Sequence, residues 1–278
     1  MKVIRSKHAG ACYGVQRALD MAQASIMDGG EAYTLGPLIH NPEVVSELEE
    51  QGVHVVESVD DIPQGIVIIR SHGVTAEVYE EVASRDFEII DATCPHVARA
   101  QSAAVQLARE GYHVVVVGEE GHPEVEGLVS RVRRAGGEVD VATFPEELTC
   151  ELHEPVGIVS QTTQPRERLD AMVEAMRERG IEPVVKNTIC FATRQRQDEA
   201  AHIAEEADAM VVIGGRNSSN TSRLAEICSA ICENTHHIES VNELNPEWFS
   251  GCETIGVTAG ASTPVSHIEM LVSALELL

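Results

Sequence analysis

The sequence predicts an α/β protein built on parallel sheets, and two observations carry that prediction. The 278-residue chain alternates short β-branched runs with segments of helical periodicity from end to end. Val114–Val117 is a run of four valines, too apolar for a strand with one wet face and typical of a strand buried on both faces of a parallel sheet. Open α/β sheets bind ligands at the carboxyl ends of their strands, so the residues that follow each strand are the candidates for function.

Five of the buried runs lead directly into small polar or titratable residues. They are IVIIRSHG (66–73), VVVVGEEGHPEVEG (114–127), VGIVSQTT (156–163), MVVIGGRNSSN (210–220) and TIGVTAGAST (254–263). Because parallel strands present their carboxyl ends at one edge, this repetition predicts polar sites distributed over the whole chain.

The order of elements repeats along the chain. Strands are predicted near 2–5, 32–35, 53–56, 65–69, 89–90, 114–117, 139–141, 157–159, 184–185, 210–213, 236–238 and 254–257. Helices are predicted near 15–27, 43–51, 76–84, 95–110, from 124 onward, and near 166–179, 193–206, 222–232 and 264–278. We therefore divide the chain into three similar lobes, 1–94, 95–190 and 191–278, with the N-terminal strand and Cys12 in the first.

Composition excludes several classes of protein. The net charge of −25, from 45 acidic and 20 basic residues, argues against nucleic acid as the ligand, since phosphate backbones require basic surface. No run of about 18 apolar residues is present, so no transmembrane helix is expected. The N-terminus lacks the apolar middle of a signal peptide, and we expect a cytoplasmic protein.

Three of the seven cysteines, Cys12, Cys94 and Cys190, each fall at a break before a predicted helix, one per lobe. A thiolate at a helix N-terminus is stabilised by the positive end of the helix dipole. The three could hold an iron–sulfur cluster by three irons and leave the fourth open. The alternative is that they are three buried apolar cysteines at loop–helix junctions, and spacing alone does not favour the cluster, because ligands this far apart make no local signature. Cys228 and Cys232 share an apolar helical stripe and are expected in the core.

Two rival classes fit part of this pattern. A non-redox transferase that binds a phosphate ester would use the polar strand ends but leaves the three cysteines without a purpose. A zinc-containing α/β protein would use cysteines, but structural zinc sites favour closely spaced pairs. No glycine-rich nucleotide fingerprint is present to support a nucleotide enzyme.

Nine motifs occur in an order that is specific to one family. They are GACYGV (10–15), GPLIHNP (36–42), RSHGV (70–74), DATCPHV (91–97), GHPEVEG (121–127), SQTTQP (160–165), NTICFATRQRQ (187–197), RNSSNTSRL (216–224) and VTAGASTP (257–264). Together they resemble the 4-hydroxy-3-methylbut-2-enyl diphosphate reductase family over essentially the whole chain.

This resemblance implies an architecture and an activity. The expected fold is three similar α/β lobes in pseudo-threefold arrangement around a central [4Fe–4S] cluster. Cys12, Cys94 and Cys190 would hold the cluster, with its fourth iron open. The implied enzyme is an iron–sulfur oxidoreductase that removes the allylic hydroxyl of its diphosphate substrate. The products are isopentenyl and dimethylallyl diphosphates, in the last step of the methylerythritol phosphate pathway.

The resemblance also implies an external electron donor, reduced ferredoxin or flavodoxin, since no flavin or nicotinamide motif is present. Both donors are usually acidic, so we expect docking at a basic patch around Arg131, Arg133 and Arg134. We expect a monomer.

The family's site residues carry over by motif. The residues implied to bind the substrate diphosphate are His40, His72, His122, Ser218, Ser219, Asn220 and Ser262, with Thr162 beside the substrate hydroxyl. The implied catalytic residues are Glu124, Thr162 and His122. The resemblance makes Glu124 the proton donor, and a carboxyl in a dry pocket is expected to have a raised pKa and to remain available as an acid. From the residues alone Glu126 competes with Glu124, and Thr163 competes with Thr162.

Overall fold

The computed structural model describes residues 1–27 and 29–278. Its strands are β1 (Lys2–Arg5), β2 (Ala32–Leu35), β3 (Val53–Val56), β4 (Ile66–Ile69), β5 (Glu88–Asp91), β6 (His113–Val117), β7 (Val139–Ala142), β8 (Val156–Ser160), β9 (Val184–Lys186), β10 (Ala209–Ile213), β11 (Thr235–Ile238) and β12 (Thr254–Ala259). Its α-helices are α1 (Tyr13–Ser25), α2 (Pro42–Gln51), α3 (Ala76–Ala83), α4 (Pro95–Arg109), α5 (Pro123–Arg134), α6 (Arg166–Glu178), α7 (Phe191–Glu206), α8 (Ser219–Ile231) and α9 (Val265–Glu276).

The strands form three parallel four-stranded sheets, in the orders β3-β2-β4-β5, β7-β6-β8-β9 and β1-β12-β10-β11. The predicted α/β class with three similar lobes is therefore confirmed. By compactness the chain forms two units. The first, residues 1–15, 40–44 and 191–278, contains the third sheet, and the second, residues 16–39 and 45–190, contains the other two.

The valine run in β6 shows why these sheets are stable. Val114 and Val116 pack into a core cluster with α4 and α5 on one face of the sheet. Val115 and Val117 pack into a second cluster with α6 on the other face. All four are fully buried, as predicted from their lack of alternation. In the described part of the chain, no helix is both long and apolar enough to cross a bilayer.

The placement of the N-terminal strand in the first lobe is wrong. Strand β1 pairs in parallel with β12, from Lys2 opposite Thr254 to Arg5 opposite Val257. It therefore lies at the edge of the C-terminal sheet. A four-residue strand carries no local signal that specifies its partner, and parallel pairing joins segments distant in sequence. The boundaries near residues 94 and 190 remain predictions.

With β1 in the C-terminal sheet, the three sheets have the same topology. In each, the edge strand (β5, β9 or β1) pairs with a central strand (β4, β8 or β12) and leads to one of the three cysteines. In chain order, each repeating module starts with the helix that follows one of these cysteines and ends at the next of these cysteines. The third module runs from α7 through α9 and is completed by residues 1–12.

A circular permutant tests this equivalence. Met1 and Leu278 line the same surface pocket, so a short linker can join them. Opening the chain between Gly180 and Ile181 places the new ends between α6 and β9, the position equivalent to the link between α9 and β1. We expect this permutant to fold and to melt within about 5 °C of the parent, measured by circular dichroism. A permutant opened inside β8, between Gly157 and Ile158, is the control and should not fold. Failure of the first permutant would contradict the equivalence.

Candidate active site

Each of the three cysteines is the residue directly before a helix, and each has its backbone held in the same way. Its N–H donates to a carbonyl in the loop after a central strand, two residues beyond the strand's last residue. The three pairs are Cys12 to Ala261 O (3.0 Å), Cys94 to Ser71 O (2.9 Å) and Cys190 to Thr162 O (2.9 Å). The helices start two residues earlier than predicted at α1 and α7, which places all three cysteines at equivalent junctions.

The thiols of these residues fit a metal-ligand role better than a core role. All three are half-buried, whereas Cys228 and Cys232 are buried in a core cluster. Burial raises the pKa of the Cys228 thiol to about 12, so it stays a neutral, apolar group. The described cysteines form no disulfide. Soft thiolates at loop–helix junctions are the donors that an iron–sulfur cluster requires.

The structure does not itself assemble the ligand set. Cys12 belongs to the first compact unit, and Cys94 and Cys190 belong to the second. Among residues 1–27 and 29–278, no three His, Cys, Asp or Glu side chains form a group that could hold a metal ion. The three-cysteine set therefore stays a prediction.

The second unit contains a buried acid at the carboxyl ends of β6 and β8. Glu124 lies in the first turn of α5 and is 2% exposed. Thr162 contacts both carboxyl oxygens: its N–H donates to Oε1 at 2.6 Å, and its hydroxyl donates to Oε2 at 2.8 Å. Burial raises the pKa of Glu124 from 4.5 to about 7, and the two bonds from Thr162 act in the opposite direction. Glu124 can therefore hold a proton near neutral pH.

Two histidines adjoin this acid. His122 caps α5, and its Nδ1 accepts the backbone N–H of Glu124 at 3.1 Å. Since Nδ1 is an acceptor, a neutral His122 carries its proton on Nε2. The rings of His72 and His122 meet edge to face, 5.8 Å between centroids. The structure thus brings together His72, His122, Glu124 and Thr162, and Thr162 O in turn holds Cys190.

The first unit contains the remaining predicted binding residues. Ser262 donates its hydroxyl to the carbonyl of His40 at 3.0 Å, and Asn41 Nδ2 donates to the carbonyl of Ser262 at 3.0 Å. A Cβ at position 215 would lie 2.7 Å from the His40 carbonyl, so only glycine fits there. His40 and Ser262 are held as one packed pair.

The serine–asparagine segment differs from its prediction in one respect. Helix α8 begins at Ser219 rather than near 222, because Ser218 caps it by accepting the N–H of Thr221. Asn220 therefore lies in the first helical turn, where backbone N–H groups favour anions. Its carboxamide N and O are both buried and have no hydrogen-bond partner among the described residues. A buried amide without hydrogen-bond partners lowers the stability of the folded protein by about 1–3 kcal/mol. A polar ligand that hydrogen-bonds to this amide would remove that penalty.

Sequence reasoning missed two supporting residues. Asn41 anchors Ser262 and also caps α2 through Oδ1, which accepts the N–H of Val44 at 3.2 Å. Its position before Pro42 is an N-cap signal that could have identified it. Gln161 Oε1 accepts the N–H of Glu119 at 3.0 Å and so positions the loop that leads to His122. No local pattern marks that contact.

The anticipated basic docking patch is largely engaged in structural contacts. Arg131 donates to the carbonyl of Val74 at 2.6 Å, and Arg134 pairs with Glu80 at 2.7 Å. Among the described residues, the Arg133 side chain makes no such hydrogen bond or ion pair, in contrast to the other two. Of the three, only Arg134 is paired with an acid in the part of the chain that the structure describes, and Arg131 is held by a neutral backbone carbonyl.

The fold and these residues define an α/β enzyme-like protein with a buried acid and three cysteines at equivalent strand–helix junctions. Comparison with known proteins makes this specific. The family model of the LytB protein matches residues 3–276, so the chain belongs to that family.

Relatives named 4-hydroxy-3-methylbut-2-enyl diphosphate reductase align over nearly the full chain. The protein of Geobacter sp. (strain M21) is 49% identical over 269 residues, which cover 95% of this chain and 93% of the relative. The protein of Geotalea uraniireducens (strain Rf4) is 47% identical over 280 residues, which cover 99% and 97%.

Two solved structures are also similar. One is (E)-4-hydroxy-3-methyl-but-2-enyl diphosphate reductase, the terminal enzyme of the non-mevalonate pathway, with 43% identity, a TM-score of 0.73 and full coverage of both chains. The other is the E-1-hydroxy-2-methyl-but-2-enyl-4-diphosphate reductase from Plasmodium falciparum, with 24% identity, a TM-score of 0.91, and 99% and 87% coverage. The second supports the fold alone.

Glu124 predicts a measurable dependence of stability on pH. Its pKa is higher in the folded protein than in the unfolded chain, so the stabilisation is complete below about pH 4.5 and is lost as pH rises through about 7. We expect the Glu124 contribution to the free energy of unfolding to fall by about 3 kcal/mol across that window. Denaturant titrations at several pH values should show this fall in the wild type and not in Glu124→Gln.

The matched control is Glu126→Gln, which removes an exposed carboxyl from the same helix turn. It should keep the wild-type pH dependence. Equal pH dependence in the wild type and Glu124→Gln would show that the Glu124 carboxyl is not perturbed.

Proposed function

We propose that this protein reduces 4-hydroxy-3-methylbut-2-enyl diphosphate to isopentenyl and dimethylallyl diphosphates. The observation that carries the proposal is the fully buried Glu124 carboxyl, with its pKa near 7, held by Thr162 beside His122. Removal of an allylic hydroxyl as water requires a proton donor at the leaving oxygen, and a carboxyl with this pKa holds one at neutral pH. Membership of the LytB family supports the substrate.

Cys12, Cys94 and Cys190 would hold a [4Fe–4S] cluster, since their thiols are half-buried and sit at equivalent junctions. When bound, this cluster supplies one-electron transfers and an open iron that polarises the substrate oxygen. The chain's contribution is to fix the cysteine backbones before the cluster arrives. It does so through the three N–H bonds to strand-end carbonyls.

The substrate diphosphate would be bound by neutral donors. His40, Ser218, Ser219, Asn220 and Ser262 supply this set in the first unit, and His72 and His122 supply it in the second. The protein carries a net charge of −25, so a local cradle of N–H and O–H groups is needed to offset the field of the whole protein. The buried, unsatisfied carboxamide of Asn220 is one group that such a ligand would complete.

The hydrogen bonds of Glu124 determine where its proton resides. Oε1 faces the N–H of Thr162, a permanent donor, so Oε1 cannot carry the proton. A protonated Glu124 therefore carries it on Oε2 and donates to Thr162 Oγ1, 2.8 Å away. The hydroxyl of Thr162 is then released to donate its own proton to the substrate oxygen. Glu124 and Thr162 thus form a two-member proton relay that delivers one proton and leaves Glu124 ionised.

The remaining parts of the proposal concern context. Electrons would come from reduced ferredoxin or flavodoxin, one at a time. We propose that the protein is cytoplasmic and monomeric. We also propose that the boundaries between its lobes lie near residues 94 and 190.

An anaerobic preparation tests the proposal directly. We expect a brown protein with broad absorption near about 400 nm that converts the allylic diphosphate to both products when given a strong reductant. Glu124→Gln should lose at least about 100-fold in turnover and keep its cluster, because it removes the proton and preserves the shape. Glu126→Gln should retain wild-type turnover. A colourless protein that processes other phosphate esters would support a transferase or a zinc protein instead.

The pH profile isolates the relay. Because the proton is lost as pH rises through the pKa of Glu124, we expect kcat/KM to be flat below about pH 7 and to fall above it. Thr162→Val removes a hydrogen bond from the Thr162 hydroxyl that favours the ionised carboxylate, so the pKa of Glu124 should rise. The falling limb of the profile should therefore move to higher pH, and the maximum rate should drop because the relay is broken. Steady-state rates over pH 5–9 measure both effects. A falling limb that stays in place in Thr162→Val would rule out this coupling.

A further inference from the structure

Helix α7 holds the loop that leads from β1 to Cys12. Arg196 is 6% exposed, and its guanidinium donates to the carbonyl of Gly10 at 2.8 Å and to that of Ala192 at 3.1 Å. One turn on, Glu199 accepts from the Ser6 hydroxyl at 2.5 Å and from the backbone N–H groups of Lys7 and His8. The segment before Cys12 is thus fixed at both ends by one helix.

Helix α1 has the same relation to the loop before Cys94. Arg17 donates to the carbonyl of Thr93 at 3.2 Å and to that of Asp91 at 3.3 Å. Arg17 lies five residues after Cys12, and Arg196 lies six residues after Cys190. In two of the three modules, then, the helix that follows one cysteine carries an arginine that binds carbonyls just before the next cysteine.

The module that ends at Cys190 is built differently. Before Cys190, Thr188 Oγ1 accepts the N–H of Ser160 at 2.8 Å and donates back to its carbonyl. Asn187 Oδ1 accepts the N–H of Ile189 at 3.1 Å. Neutral hydrogen bonds are sufficient to hold a loop of this length. The arginines at the other two positions therefore add something that loop geometry alone does not need, namely positive charge.

We propose that Arg196 is a positioning residue for Cys12, and Arg17 for Cys94, and that their charges make a cluster held by these cysteines easier to reduce. This inference rests on the proposed function, since it requires the cluster. A reduced cluster carries one more negative charge, so a nearby cation stabilises it relative to the oxidised form. The effect on the reduction potential is larger for Arg196 than for Arg17. Solvent screens the buried charge of Arg196 less than it screens the charge of Arg17, which is half-exposed.

The test compares the anaerobically reconstituted wild type with Arg196→Gln, Arg196→Lys and Arg194→Gln. Arg194→Gln is the matched control, because it removes the same charge from the same helix. The Arg194 side chain is 63% exposed and pairs with Asp198. The readouts are the reduction potential of the cluster, from a titration followed by electron paramagnetic resonance, and the rate at which a chelator removes iron.

We expect Arg196→Gln to shift the potential to more negative values and to lose iron about 10-fold faster. Arg196→Lys should keep a potential close to the wild type, because the charge remains. It should still lose iron faster than the wild type, because an ammonium group cannot reproduce the two hydrogen bonds that the planar guanidinium donates to the carbonyls of Gly10 and Ala192. Arg194→Gln should match the wild type in both readouts. A purely structural role for Arg196 would change iron retention and leave the potential of loaded molecules unchanged.

If Arg196→Gln does not fold, Arg17→Gln carries the same test and should shift the potential in the same direction by less. A wild-type potential in the Gln variant that folds overturns the inference. The proposed function fails separately: in that case the wild-type protein itself takes up no cluster.

Discussion

The backbone hydrogen bond from each of the three cysteines to a strand-end carbonyl is the contact on which the rest of this structure depends. It joins the end of a central strand to the start of the next module's helix, and so fixes where each helix begins. The residue after the acceptor is Ser262, His72 or Thr163 in the three modules. Thus one local geometry, used three times, holds a cysteine backbone at the carboxyl edge of each sheet.

Around this repeated framework the modules have diverged in chemistry. The module that ends at Cys190 acquires an acid, because Glu124 at the end of β6 is buried against Thr162. In the module completed by Cys12, Asn220 is buried and its carboxamide has no hydrogen-bond partner among the described residues. Burial acts in both places: it raises the pKa of the Glu124 carboxyl and separates the Asn220 carboxamide from solvent without a hydrogen-bond partner among the described residues.

Much of the fold could be predicted because its signals are local. The valines of β6 indicated burial on both faces, and alternate residues do contribute to two separate core clusters. The pairing of β1 with β12 could not be predicted, since nothing in four residues specifies a partner about 250 positions away. The early start of α8 was missed because the cap at Ser218 outweighs the weak helix propensity of the residues after it.

The site likewise contains features that local sequence signals predict and features that depend on residues distant in sequence. Motifs identified Glu124 and Thr162, but spacing alone could not separate Glu124 from Glu126. On a helix, two residues apart is about 200° of rotation, so one faces the core and the other faces solvent. Which of them is buried depends on how α5 packs, and that is decided by distant residues. The hydrogen bonds from Arg17 to Thr93 and from Arg196 to Gly10 likewise join residues 76 and 186 positions apart. A local sequence pattern cannot predict contacts at that separation.

We propose that three thiols from three equivalent junctions hold one inorganic core. Mössbauer spectroscopy of the protein reconstituted with ⁵⁷Fe measures this most directly, because it distinguishes irons by their ligands. We expect a single four-iron cluster per chain in which one iron has a signal distinct from the other three. Four irons with equivalent sulfur ligation, or iron bound only as isolated ions, would contradict it.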